Sequence, residues 1–233
     1  MMGNIVFVAR ALSVIAMLFF FAALWPKNSW AEKNFSVLAL GDSTTAGTPG
    51  FFSPAEKPPQ GDGDVRSQYA YWILQKHPAW TVWNRGVRGW RSDQILKRFQ
   101  REVVTYNPDV VVVLAGVNDL HQGFSAEHVE SNLRKIYDVA LAKKAVILAC
   151  TILPYNESTA LVKQEMARVN EWIRALSQER GFLFCDTYAA LNDPANPGNL
   201  IGTPDGIHPD IEGYRKMGEA IEVVLATSPP SAV

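Results

Sequence analysis

Four short stretches of this 233-residue chain carry side chains whose types and order suit acyl transfer. Gly41-Asp42-Ser43 places a serine directly after an apolar run, with the next glycine only at Gly47. A serine there is either a helix N-cap or an exposed nucleophile. The glycine spacing is not that of the G-x-S-x-G elbow. Asp205-Gly206-Ile207-His208-Pro209 offers an imidazole and, three residues earlier, a carboxylate. A hydroxyl nucleophile needs a base for its proton, and a carboxylate can fix the tautomer of that base and stabilise the imidazolium. Alone, the pair also reads as a surface turn or as two metal ligands. Asn118, in Gly116-Val117-Asn118-Asp119, carries an amide able to donate to an oxyanion, and is otherwise a turn residue. Asn84-Arg85-Gly86-Val87-Arg88-Gly89 either forms only a loop or brings a glycine N–H close to a ligand. Each signal is weak by itself. Taken in chain order, the four complete one reaction.

Groups so far apart cooperate only if the fold gathers them. Residues 35–40 (FSVLAL), 109–115 (DVVVVLA), 145–151 and 182–185 are short apolar runs of the kind buried on both faces of a sheet, and 81–84 is a weaker fifth strand. Helical patterns lie between them. Ile95, Phe99 and Val103 repeat at four-residue spacing. Val129, Leu133, Ile136 and Ala140 follow a 4-3-4 rhythm behind Ser125 as N-cap, and Met166, Val169, Ile173 and Leu176 repeat it before a stop at Gly181. A last helix is expected over 213–226, then a disordered tail over 228–233. Alternating strands and helices predict a three-layer α/β/α sandwich around a five-stranded parallel sheet. Such sheets bind ligands beyond the carboxyl ends of their strands. The polar clusters 42–44, 85–92 and 118–119 follow three of those ends. Residues 48–64, rich in Pro and Gly, read as a long loop beside the first cluster, with Asp62-Gly63-Asp64 a solvated turn rather than a calcium loop.

With these blocks in order, the chain resembles the SGNH hydrolases, also called the GDSL esterase/lipase family. GDS at 41–43, Gly89 in VRGWRS, Asn118 in GVND, and Asp205 with His208 in DGIHP match its four blocks, and the likeness extends over nearly all of 35–226. The resemblance implies a flavodoxin-like sheet and a carboxylic ester hydrolase acting through an acyl-enzyme on Ser43. It also implies His208 as base, Asp205 as its orienting carboxylate, and an oxyanion hole from the N–H groups of Ser43 and Gly89 and the amide of Asn118. No metal or organic cofactor is implied. Three departures stand out: GDST replaces GDSL, Trp90 stands where many members carry a small or acidic residue, and the segment 48–66 is longer than in compact members.

Composition narrows the partners. Lys and Arg total 22 against 23 Asp and Glu, so no basic surface invites nucleic acid. Residues 1–31 read as a cleaved secretory signal: Arg10, the apolar run ALSVIAMLFFFAALW, Pro26, and small residues at Ser29 and Ala31. The alternative is a retained anchor, the only expected contact with a membrane. Domain boundaries follow as 1–31, 32–227 and 228–233, with the enzyme periplasmic or secreted. Cys150 and Cys185 sit in apolar stretches and are read as free thiols, although export would permit pairing. Among the aromatic residues near the first two blocks, Trp90, Phe51 and Phe52 are candidates for substrate contact, whereas Tyr69 and Trp72 suit helix packing. His121 is a weaker substrate candidate. The substrate expected is a small-molecule or glycan ester, with carbohydrate O-acetyl groups one version of it. A non-catalytic carbohydrate-binding relative is the rival, and a metallophosphoesterase a third reading that lacks further ligands.

Overall fold

The computed structural model describes residues 35–156 and 158–227; the expected signal segment 1–31 and the tail 228–233 lie outside the described residues. Five parallel strands form the central sheet: β1 (Ser36–Gly41), β4 (Thr81–Gly86), β5 (Val110–Leu114), β6 (Val146–Cys150) and β7 (Leu183–Cys185). Their spatial order is β4-β1-β5-β6-β7, the flavodoxin-like arrangement. All five expected strands are present, displaced at their ends by one or two residues.

Strand periodicity sorts the core into two halves. Leu38, Leu40, Val111, Val113, Ile147 and Ala149 face one side. They pack against α3 (Ser92–Tyr106), α5 (Ala126–Ala142) and α6 (Ala160–Arg180). Val37, Ala39, Val110, Val112, Leu114 and Leu148 face the other, under α2 (Tyr69–Lys76), the short α7 (Thr187–Leu191) and α8 (Ile211–Thr227). Because side chains alternate across a strand, near-continuous apolar runs can be satisfied only by helices on both faces. Every residue of β5 is buried, so a charge placed at Val112 would find no partner there.

The helix signals read from the sequence are used. Ser125 accepts a hydrogen bond from the His128 N–H at 3.4 Å at the start of α5. Gly181, with φ +69°, ends α6. The last helix is longer than expected, beginning at Ile211 and running to Thr227. Residues 48–64 are not wholly irregular, since β2 (Phe51–Phe52) pairs antiparallel with β3 (Asp62–Gly63). Asp62 is exposed and Asp64 half-buried, and they pair with Lys57 and Arg66. Tyr69 is buried in the core beneath α8, and Trp72, also on α2, packs against the same cluster. Cys150 and Cys185 stand opposite each other between β6 and β7, both buried and both free. Sharing a proton with Cys185, together with burial, pushes the Cys150 thiol well above its usual range.

Candidate active site

The site is assembled where β1, β4 and β5 end. β1 runs directly into α1 (Ser43–Ala46), a single buried turn. Asp42, not Ser43, caps that turn: its Oδ1 accepts from the Thr44 N–H at 3.0 Å. The capping role that Ser43 could have filled is therefore taken by its neighbour, and the serine hydroxyl is free to face the pocket. The turn is fixed from two sides. Asn84 of β4 donates to the Ala46 carbonyl at 3.2 Å, and the Tyr214 hydroxyl of α8 donates to the Thr48 carbonyl at 2.7 Å.

Across from it, the loop before α8 brings in the other two groups. Ser43 Oγ lies 2.9 Å from His208 Nε2, joining residues 165 positions apart. His208 Nδ1 lies 2.7 Å from Asp205 Oδ2. Asp205 Oδ1 accepts the N–H groups of Ile207 and His208 at 2.9 and 2.7 Å, so one carboxylate both shapes the loop and faces the imidazole. Partial burial raises the Asp205 pKa, but hydrogen bonds from the His208 ring and from those two N–H groups outweigh it. The net shift is below the ordinary carboxylate value, which keeps Asp205 ionised.

Gly89 and Asn118 line the same pocket as Ser43 and His208. Gly89 has φ +70°, a left-handed conformation, and a Cβ there would enter open space. The Val87 N–H donates to the Gly41 carbonyl at 3.2 Å, carrying the β1–β4 pairing onward and laying the glycine loop beside Ser43. Among the described residues no protein acceptor takes the N–H of Ser43 or of Gly89. Asn118 lies in the first turn of α4 (Val117–His121) and donates from Nδ2 to the Trp90 carbonyl at 3.0 Å, leaving its second amide hydrogen for a ligand. This contact is to backbone, so the unusual side chain at position 90 does not weaken it.

A second tie sits behind these donors. Asp119, fully buried, accepts the Ser92 N–H at 2.8 Å and the Ser92 hydroxyl at 2.6 Å, and Asn132 of α5 donates to that same hydroxyl at 2.9 Å. The loop carrying Gly89 and the helix carrying Asn118 are thereby clamped together. Burial raises the Asp119 pKa, with Ser92 and His128 opposing it. Asp93, Asp119 and His128 could in principle offer a metal three ligand atoms. Both Asp119 oxygens are already engaged by Ser92, Asp93 pairs with Arg91 at 3.0 Å, and none of the three lines the pocket.

Other expected contacts fall elsewhere. Phe51 is buried, Phe52 lies face-on beneath the Arg88 guanidinium at 3.6 Å, and Trp90 packs on the α3 side of the core with Arg98 over its ring at 4.6 Å. None of the three lines the pocket of about 210 Å³ beside Ser43, whereas His121 does. Its lining also includes Ile152-Leu153-Pro154-Tyr155, the segment after β6. Being apolar, this stretch carries none of the polar residues that mark the other strand ends in the sequence. Its position beyond a parallel strand was the available signal.

An open parallel α/β sheet with serine, histidine and aspartate hydrogen-bonded in series at its carboxyl edge defines a hydrolase-type scaffold. The chain belongs to the GDSL-like lipase/acylhydrolase family, whose model matches residues 39–216. It is similar to an acetylxylan esterase from Geobacillus stearothermophilus, 24% identical over 154 residues, covering 60% of this chain and 69% of that one. In fold it resembles a member of the lipolytic G-D-S-L family from Veillonella parvula, with TM-score 0.67 at 19% identity, covering 84% of this chain and 100% of the other. A carbohydrate acetylesterase from Sinorhizobium meliloti has TM-score 0.67 at 15% identity, covering 83% and 99%.

Proposed function

We propose that the protein is an exported serine esterase that cleaves carboxylic esters through an acyl-enzyme on Ser43. The observation that carries this reading is the 2.9 Å approach of Ser43 Oγ to His208 Nε2 inside the pocket that Gly89 and Asn118 also line. His208 takes the hydroxyl proton as Oγ attacks the ester carbonyl, and Asp205 holds the imidazole in the tautomer that leaves Nε2 bare. The oxyanion of the tetrahedral intermediate is met by the N–H groups of Ser43 and Gly89 and by the Asn118 amide. Each donor of this kind contributes on the order of 10²–10³ in rate. His208 then hands its proton to the departing alcohol. Water, deprotonated by the same imidazole, releases the acid and restores Ser43.

The alcohol leaves on the side of His208, where the neighbouring Ile207 is exposed, so a glycan or a small alcohol can be accommodated. The acetylxylan esterase and carbohydrate acetylesterase among its relatives support a sugar there. Export rests on the composition of residues 1–31, and fusing them to a reporter active only outside the cytoplasm tests it. The enzyme reading predicts p-nitrophenyl acetate hydrolysis by the purified chain, insensitive to chelator and abolished by Ser43→Ala. Silence from a folded sample, or undiminished turnover by Ser43→Ala, would overturn it.

A further inference from the structure

The pocket beside Ser43 is lined by unlike residues. Ser43, Gly89, Asn118 and His208 form the reacting wall. Asp42, Thr44, Thr48 and Arg88 also line the pocket, and the rest of its lining includes Leu114 and Ala115 at the end of β5, Val117 of α4, and Ile152, Leu153 and Pro154 after β6, whose side chains are all hydrocarbon. Tyr155 and His121 also reach the pocket, but their polar atoms face one another, Oη lying 3.5 Å from Nδ1. A sugar hydroxyl pressed against the six apolar residues would give up its bonds to water and find none in return. That loss disfavours binding by about tenfold to a hundredfold. A methylene placed there gains about fourfold instead.

Direction follows from the chemistry. The departing alcohol must sit within reach of His208 Nε2, on the side where Ile207 is 40% exposed, while Leu114 and Ala115 are each 2% exposed at the inner end. The acyl group therefore points inward. The pocket volume of about 210 Å³ takes in the reacting wall as well as these apolar residues. An acetyl group is too short to cover six apolar residues contributed by three separate segments. We infer that these apolar residues receive the acyl chain of the substrate, that a chain longer than acetyl is preferred, and that Val117 and Leu153 are among the side chains it covers. The inference rests on the esterase reading and names the acyl class that reading leaves open.

The test uses the full chain with two ester series. With p-nitrophenol as the fixed alcohol, kcat/KM is expected to be at least about tenfold higher for hexanoate than for acetate. With acetate as the fixed acid, lengthening the alcohol from methyl to hexyl should change kcat/KM little. Val117→Phe and Leu153→Phe, on separate elements, should each bring the hexanoate-to-acetate ratio toward one. Calorimetry on Ser43→Ala should show sodium hexanoate binding at least tenfold more tightly than sodium acetate. Acetate matching hexanoate in turnover or in binding overturns the inference, as does a steep alcohol series or a ratio untouched by both substitutions. If no ester is turned over while Ser43→Ala still prefers hexanoate, the esterase reading fails and the pocket assignment stands.

Discussion

The turn that carries Ser43 and the loop that carries His208 are built by opposite means. Residues 42–46 are all buried, pinned by Asn84 from β4 and, through Thr48, by Tyr214 from α8. The Asp205–His208 loop is much more open, the Asp205 side chain being 38% exposed, and its shape comes largely from the two N–H groups that Asp205 Oδ1 accepts. One half of the reacting pair is set by the core, the other by a single carboxylate. A conservative change in the first half should therefore disturb stability as well as chemistry. In the second it should disturb chemistry almost alone.

The largest effect expected is from Ser43→Ala, which removes the nucleophile but little packing: kcat falls by about 10⁴-fold or more, with the melting temperature barely moved. A large loss of Tm in this variant would mean that the hydroxyl is structural. Asp205→Asn comes next. The amide keeps an acceptor for the loop N–H groups but presents a donor to His208 Nδ1, which forces the wrong tautomer. Esterase activity should drop by about 10²–10⁴-fold while Tm holds. An Asn variant that unfolds would show that the loop depends on charge rather than on shape. Asn118→Ala is expected to lower kcat by about 10²–10³-fold with KM little changed, because the oxyanion exists only after attack. An equal rise in KM would assign Asn118 to ground-state binding. Asp119→Ala moves the comparison into the core: two Ser92 donors lose their acceptor in a buried site, costing about 2–5 kcal/mol by denaturant unfolding. A cost below about 0.5 kcal/mol would show that the clamp between Ser92 and Asp119 is idle.

How much of this could be read beforehand depended on which half was in question. The two-faced strands announce themselves, because Val110–Leu114 has no polar residue to put in water. Ser43, Gly89, Asn118, Asp205 and His208 each follow a strand or precede a helix, so their meeting at one edge follows from topology. The aromatic residues show the limit. Trp90 and Phe52 are packed by Arg98 and Arg88, contacts made across elements that no spacing reveals. The apolar wall at 152–155 escaped because hydrocarbon near a strand end looks like core until the cavity beside it is seen. The Asp42 cap was hidden too, for Asp and Ser are equally good N-caps and only the backbone decides which of two adjacent residues takes the position.

Asp42 also supplies the mildest and most informative break. It is wholly buried, its Oδ2 has no hydrogen-bond partner among the described residues, and burial pushes its pKa from 3.8 up to about 7, with Thr44 opposing and Asp119 adding to the rise. Below about pH 4 both folded and unfolded chains hold this proton, and the group contributes nothing to the pH dependence of stability. Between about pH 4 and 7 the unfolded chain releases it while the folded protein keeps it, so stability falls as pH rises. Above about pH 7 the folded state carries a buried, half-paired carboxylate and the loss is complete. Asp42→Asn keeps the acceptor for Thr44 but cannot ionise. The Tm of the variant relative to the parent should therefore climb from pH 5 to pH 8, by a few degrees for a domain of this size. A difference flat across that range would mean that the carboxyl is solvated or paired in solution. The contrast between a core-set serine and a loop-set histidine would then lose its clearest electrostatic mark.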